Sequence, residues 1–179
     1  DTNGKAIDGV YVDRNNDGII NSSDKYFFHS PNPDAIFGFS TKVTTGKWEF
    51  STALRAVIGN YVYNNAAANS SLADVTSSSY NYLRNQEKSV LTNQFSGFEY
   101  FSDLFIEDAS FLRMDNLSVG YNFGDFLGNK KSNLRVTAMA QNVFVITKYT
   151  GVDPEVFGNI DNGFYQRPKV YSLGFKFQF

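Results

Sequence analysis

Five stretches of the chain alternate apolar and polar residues with a period of two. In 35–45 one face is Phe37, Phe39, Thr41 and Val43, and the other is Ile36, Gly38, Ser40, Lys42 and Thr44. After a short turn at Thr45-Gly46-Lys47, the stretch 47–59 sets Trp48, Phe50, Thr52, Leu54, Ala56 and Ile58 against Glu49, Ser51, Ala53, Arg55, Val57 and Gly59. The pair predicts a β-hairpin with a tight turn. In 116–123, Leu117, Val119, Tyr121 and Phe123 alternate with Asn116, Ser118, Gly120 and Asn122. A polar turn over 124–133 leads to 134–144, where Leu134, Val136, Ala138 and Ala140 oppose Arg135, Thr137, Met139 and Gln141, with Asn142 and Phe144 continuing the apolar parity imperfectly. The last stretch sets Tyr171, Leu173, Phe175, Phe177 and Phe179 against Ser172, Gly174, Lys176 and Gln178. These strands of roughly 9–12 residues exceed the usual 5–6.

The connections are uneven. Two are short, near Gly46 and over 124–133, and two are long, over about 60–110 and 145–168. Residues 1–33 form a third long stretch. If strands run up and down, both short turns fall at one end and everything long at the other, the asymmetry of outer-membrane β-barrels. The apolar parity would meet lipid and the polar parity a wet interior. Trp48, Phe123 and Phe179 fall near the short-turn ends, where an aromatic girdle belongs. Glycines 38, 59, 120 and 174 sit on the polar parity, where little bulk fits. Five strands are too few for a bacterial barrel, which has an even number of at least 8. The expected fold class is therefore all-β: five antiparallel strands belonging to a larger transmembrane barrel. The alternative is a soluble antiparallel β-sandwich, which also alternates in and out.

Composition sharpens this picture. The chain has 179 residues, 17% of them aromatic with 18 Phe and 11 Tyr, yet mean hydropathy is −0.32. Half-buried strands joined by long polar loops produce that combination. No apolar run approaches the ~18 residues of a transmembrane helix. A net charge of −2 argues against a nucleic-acid partner. The absence of cysteine excludes disulfides and thiolate chemistry. The opening DTNGKAIDGVYVD has neither a basic nor an apolar region of a signal peptide, and the chain reads as a piece of a longer protein.

One motif carries chemistry. Residues 13–24, DRNNDGIINSSD, follow the spacing of an EF-hand loop: Asp13, Asn15 and Asp17 at positions 1, 3 and 5, Gly18 at 6, Ile19 offering a carbonyl at 7, Asn21 at 9 and Asp24 at 12. Convergent oxygens of this kind suit a hard cation, and a structural Ca²⁺ tying down an extracellular loop is the expected cofactor. Asp24 replaces the bidentate Glu, and the flanks are not helical. The competing reading is a solvated Asp/Asn/Gly turn.

Several stretches together resemble the C-terminal end of SusC/RagA-type TonB-dependent outer-membrane transporters of Bacteroidetes. They are YVDRNNDGIINSSDKY (11–26), PNPDAIFGFS (31–40), FIEDASFLRMDNLSVGYNF (105–123), RVTAMAQNVFVITKYTGVDPEV (135–156) and the closing RPKVYSLGFKFQF. The resemblance covers nearly the whole chain. It implies a barrel of about 22 strands with a plug, a SusD-like surface lipoprotein as lid, and import of oligosaccharides or peptides driven through TonB, with the plug and TonB-contacting segment outside this chain. It implies that the last strand closes the barrel against the first. It also implies that Tyr171, Phe175, Phe177 and Phe179 carry the signal read by the assembly machinery. The alternative function is a soluble, calcium-stabilised β-sandwich that binds glycan.

Nothing points to an enzyme. His29 is the only histidine, and no nucleophile elbow or phosphate loop is present. Residues 60–82 form an Asn/Ser/Ala-rich extracellular loop, and a short helix is expected within 82–95. Tyr80, Tyr82, Phe98, Tyr100 and Phe101 are expected in an upper aromatic belt or in local packing. Asp108, Arg113 and Asp115 fall on or near lipid-facing parities and are expected above the membrane plane. Asp153-Pro154-Glu155 reads as a turn.

Overall fold

The structure, a computed structural model, describes residues 5–72, 85–124 and 132–179. It divides into two compact units: the sheet unit takes 33–60, 109–148 and 165–179, and the loop unit takes 1–32, 61–108 and 149–164. The sheet unit consists of β1 (Ala35–Thr45), β2 (Trp48–Ile58), β5 (Phe111–Gly124), β6 (Asn133–Thr147) and β7 (Val170–Gln178). They form one antiparallel sheet in the order β1-β2-β5-β6-β7. The loop unit contains β3 (Tyr61–Tyr63), α1 (Asn65–Asn69), α2 (Val90–Asn93) and β4 (Ile106–Asp108), with β3 and β4 paired antiparallel. Among the described residues no helix is long and apolar enough to cross a membrane.

The two-residue alternation is realised across all five long strands. Val43, Phe50, Val119, Ala138 and Leu173 form one unbroken cross-strand row. The neighbouring row on the same face is Thr45, Trp48, Tyr121, Val136 and Phe175. Beside the two-residue turn, Trp48 and Tyr121 meet edge to face at 4.7 Å, and Tyr121 meets Phe123 likewise at 4.7 Å. Gly46, with φ 55, supplies the positive φ that such a turn requires. On the opposite face runs the row Lys42, Ser51, Ser118, Met139 and Ser172, with the Ser51 and Ser118 hydroxyls 2.7 Å apart. A sandwich would cover its apolar face with a second sheet. Here that face is bare: Phe39 is 60% and Leu173 62% exposed. At 14 and 15 residues, β5 and β6 exceed the 9–11 that cross a bilayer.

One part of the alternation is corrected. Counting back from Leu117 puts Asp115 and Arg113 on the apolar parity. In the structure the register breaks: Ala53 opposes Asn116 and Leu54 opposes Met114, leaving Asp115 as the extra residue of a β-bulge. The facing strand breaks too, with Gln141 opposite Asn116 and Phe144 opposite Met114, and Asn142 takes φ 50. The bulge shifts the phase by one residue. Leu112 and Met114 join Leu54, Ala56, Phe144 and Ile146 on the apolar face, and Arg113 comes to lie opposite Arg55 on the polar face. An arginine on the lipid side costs about 2–4 kcal/mol at the bilayer midplane. The bulge removes that cost by moving the side chain to the other face.

Candidate functional site

The loop unit has a small core of Ala68, Phe95 and Phe105, with Ala6, Tyr63 and Ala67 packed against it. Polar groups distant in sequence supply the rest of its cohesion. Glu107 on β4 is one hub: Oε1 accepts from the Asn64 amide and the Thr150 hydroxyl, each at 2.8 Å, and Oε2 accepts from the Thr150 N–H at 2.8 Å. Asp161 is the other. Its Oδ2 accepts from the Tyr149 hydroxyl at 2.7 Å and its Oδ1 from the Gly163 N–H at 2.8 Å. Its backbone carbonyl accepts from the Ala66 N–H, and its own N–H donates to the Tyr63 carbonyl. Burial, then the bond to Asp161, pushes the Tyr149 phenol far up, so it remains a donor throughout the ordinary pH range. These bonds join residues 61–108 to residues 149–164.

The N-terminal stretch is tied in by the same means. Asp8 accepts from the Ser96 hydroxyl at 2.5 Å and the Ser96 N–H at 3.0 Å, and these two bonds hold its carboxyl below the usual range. Glu99, 7% exposed, accepts from the Gly9 N–H at 2.7 Å. The Tyr11 hydroxyl donates to the Tyr100 carbonyl at 2.8 Å, and that of Tyr26 to Asp103 at 2.5 Å. His29 stacks on Tyr61 with ring centroids 3.9 Å apart, an aromatic packing role.

The 13–24 loop is folded by its own side chains. Asp13 Oδ2 accepts from the Gly18 N–H, Asn15 Oδ1 from the Asp17 N–H and Asp17 Oδ1 from the Ile19 N–H. Gly18 sits at φ 80. Asp24 closes the loop: Oδ1 accepts from the Arg14 N–H at 2.9 Å and Oδ2 from the Asn21 N–H at 2.8 Å, completing a capping box with Asn21. The bonds from Asn21 and then Arg14 lower the Asp24 carboxyl. Among the described residues, no three His, Cys, Asp or Glu side chains stand close enough to hold a metal by themselves. A cation here would therefore also need Asn15, Asn21 and the Ile19 carbonyl. One feature fits that role: Asp13 Oδ1 is buried without a hydrogen-bond partner, and the donors on offer are all oxygens, the ligands Ca²⁺ takes.

The other expectations divide. The short helix within 82–95 is α2. Phe98 stacks on Tyr100 at 5.1 Å, and the Tyr100 hydroxyl donates to Asn69, so both serve local packing. Tyr80 and Tyr82 lie outside the described residues. Asp108 lies on β4 opposite Tyr61, in the loop unit rather than on a long strand. Asp153 accepts from the Glu155 N–H at 3.0 Å, forming the expected turn. Tyr171, Phe175 and Phe177 lie on the apolar side of β7, and Phe179, just past it, is 96% exposed.

Sequence reasoning missed the hubs Glu107 and Asp161 and the anchors Asp8 and Glu99. Their partners lie 43 or more residues away, except for Tyr149 and Gly163 with Asp161, and no local spacing encodes such pairs.

No family model matches the chain. It is 40% identical over its whole length to the TonB-dependent receptor SusC of Bacteroides thetaiotaomicron, of which it covers 18%. It is 24% identical over 95% of its length to the TonB-dependent receptor P3 of Formosa agariphila, covering 19% of that protein. Among solved structures, the RagAB peptide transporter superposes on 91% of this chain and 20% of its own, with a TM-score of 0.73 and 23% identity, which shows the fold. The RagAB peptide importer in its open-open state gives a TM-score of 0.71 and 26% identity over 84% of this chain and 18% of its own. The chain thus spans about a fifth of the length of the proteins it matches, and these are receptors and transporters rather than enzymes.

Proposed function

Because this chain belongs to the SusC/RagA type of TonB-dependent outer-membrane receptors, we propose that it forms part of the barrel wall and the external loops of an importer of oligosaccharides or peptides. The identity to SusC along the entire chain carries this reading most directly. The bare apolar face and charged opposite face of the sheet agree with a wall between lipid and a polar interior. The loop unit is cross-linked by the carboxylates of Asp8, Glu99, Glu107 and Asp161, as suits external loops that hold a fixed form. A SusD-like lipoprotein is the proposed partner of the receptor. Energy from TonB enters through parts of the receptor outside this chain. The test is uptake by cells carrying the full-length receptor. Labelled oligosaccharide or peptide should accumulate only when TonB is active, and a lipid-modified partner should co-purify in detergent. Uptake that persists without TonB overturns the reading.

We infer further that the 13–24 loop binds a structural Ca²⁺. Asp13, Asn15, Asp17 and the Ile19 carbonyl are the proposed ligands, with Asn21 and Asp24 closing the ring. The partnerless Asp13 Oδ1 supports this.

A further inference from the structure

The dipeptide Asn-Gly occurs at 3–4 and at 162–163, and only the second lies among the described residues. This pair carries chemistry of its own. Glycine has no side chain to shield its backbone nitrogen or restrict its backbone, so that nitrogen can reach the side-chain carbonyl carbon of the preceding asparagine. At 162–163 the surroundings act on both reacting groups.

The electrophile is polarised. Asn65 Nδ2 donates to Asn162 Oδ1 at 2.6 Å. Asn65 is the first residue of α1 and is placed by the cap before it, where Asn64 Oδ1 accepts from the Ala67 N–H at 2.9 Å. A donor on that oxygen stands where negative charge develops as the carbonyl carbon becomes tetrahedral. The nucleophile is restrained. The Gly163 N–H donates to Asp161 Oδ1 at 2.8 Å, and Asp161 is only 4% exposed. The nitrogen must shed its proton to attack, and a carboxylate acceptor stabilises the protonated form. Asp161 is itself held from its other side by the Tyr149 hydroxyl and by backbone bonds to Tyr63 and Ala66.

We propose that Asn162 is a site of spontaneous deamidation, promoted by Asn65 and braked by Asp161. The Gly163 nitrogen gives its proton to solvent and bonds to Asn162 Cγ. The Cγ–Nδ2 bond breaks, the amide nitrogen takes a proton from water and leaves as ammonia, and a succinimide remains. Water then opens the ring at either carbonyl, leaving aspartate or isoaspartate at 162. Both products set a second carboxylate next to Asp161. Isoaspartate also routes the backbone through its β-carbon and lengthens it by one methylene. Asp161 joins residues 149–164 to residues 61–72. The conversion therefore unlatches the loop unit irreversibly, whatever the receptor carries.

The test follows the full-length receptor in detergent at mildly alkaline pH. Mass spectrometry of the peptide spanning residue 162 reads the exchange of the amide for a carboxyl, and chromatography separates isoaspartate from aspartate. Wild type converts slowly to both products. Asn65→Ala lowers the rate about threefold or more, the worth of one neutral hydrogen bond. Asp161→Ala raises it about tenfold or more, the worth of a charge-assisted one. Because Asp161→Ala also removes a buried hub, Asp161→Asn is run beside it. That variant keeps an acceptor and loses the charge, and its rate rises about threefold. Tyr149→Phe loosens the hub from the Oδ2 side and leaves the Gly163 bond in place, so its rate stays at the wild-type value. Acceleration by Tyr149→Phe equal to that of Asp161→Asn reduces the effect to loop loosening and overturns the proposal. So does a rate indifferent to Asn65 and Asp161, or an absence of conversion at 162 in every variant.

Discussion

Arg135 and Glu49 stand on strands that are not neighbours, and their side chains join over Gly120. Glu49 lies opposite Gly120 on β5, and Gly120 lies opposite Thr137 on β6, so Arg135 must cross an intervening strand to reach its partner. A Cβ on residue 120 would sit 3.3 Å from the guanidinium. Glycine at this position keeps the crossing open.

Gly120→Val is therefore expected to displace Arg135 from Glu49, whereas Gly120→Ala needs only a small shift of a flexible side-chain end. Glu49→Gln should cost about 1 kcal/mol or less, the range for partly exposed ion pairs. Heat-modifiability on gels, which reports the unfolding midpoint of outer-membrane barrels, checks the order: wild type and Gly120→Ala above Glu49→Gln and Gly120→Val. A Gly120→Val receptor as stable as wild type would show that the crossing contributes nothing.

Asp115 is both the bulge residue and the counter-ion of Arg55. Asp115→Asn removes the carboxylate that pairs with Arg55 where Arg55 stands opposite Arg113. A loss of about 1 kcal/mol is expected from the broken pair and the uncovered repulsion. Pairing the change with Arg55→Gln should recover part of it, because the repulsion goes as well. A double-mutant cycle on the unfolding midpoint measures the coupling.

Glu107 accepts three hydrogen bonds that join two segments of the loop unit. Glu107→Ala removes all three and leaves the Asn64 amide, on a residue only 3% exposed, without that acceptor. Charge-assisted bonds of this kind are each worth about 1.5–3 kcal/mol. The expected outcome is faster hydrogen exchange and proteolysis within residues 61–72 and 149–164, with the long strands unchanged. Equal protection in mutant and wild type would remove Glu107 from its role as a hub.

Asp13→Ala with Asp17→Ala is expected to abolish calcium binding by the 13–24 loop. Titration calorimetry on the full-length receptor before and after chelation reads this directly. Unchanged calcium uptake by the double variant rejects the site and leaves the loop as a self-bonded turn.

Asp8 and Asp24 both titrate below the ordinary aspartate value because they accept hydrogen bonds in the folded state. A depressed carboxyl stabilises the fold above its unfolded pKa of about 4 and loses that contribution as pH falls through the lower folded value. The attachment of residues 5–26 should therefore be the same at pH 7 and pH 5 and weaken only below about pH 4. Asp24→Asn should bring the weakening to neutral pH. Hydrogen exchange corrected for intrinsic rates measures both; weakening between pH 7 and pH 5 would point to other groups.

The alternation alone determined much of this protein. A side chain changes face with every residue of a strand, so Phe37 to Val43, Trp48 to Ile58, Leu117 to Phe123, Leu134 to Ala140 and Tyr171 to Phe177 declare their shared face without any knowledge of pairing. The two-residue turn at Gly46 and the unequal connections were equally legible, because turn chemistry and loop length are local. The EF-hand spacing was visible for the same reason, and the short-range bonds of Asp13, Asn15, Asp17 and Asp24 follow it. What only the tertiary structure decided is everything that depends on a partner far along the chain. The bulge at Asp115 reverses the faces of Arg113 and Met114, and nothing in FLRMDNLSV announces it, because a bulge is defined by the strand opposite. Glu107 and Asp161 look like ordinary loop acids until Thr150 and Tyr149 are brought beside them. Arg135 finds Glu49 only because β2, β5 and β6 stand in that order with a glycine between.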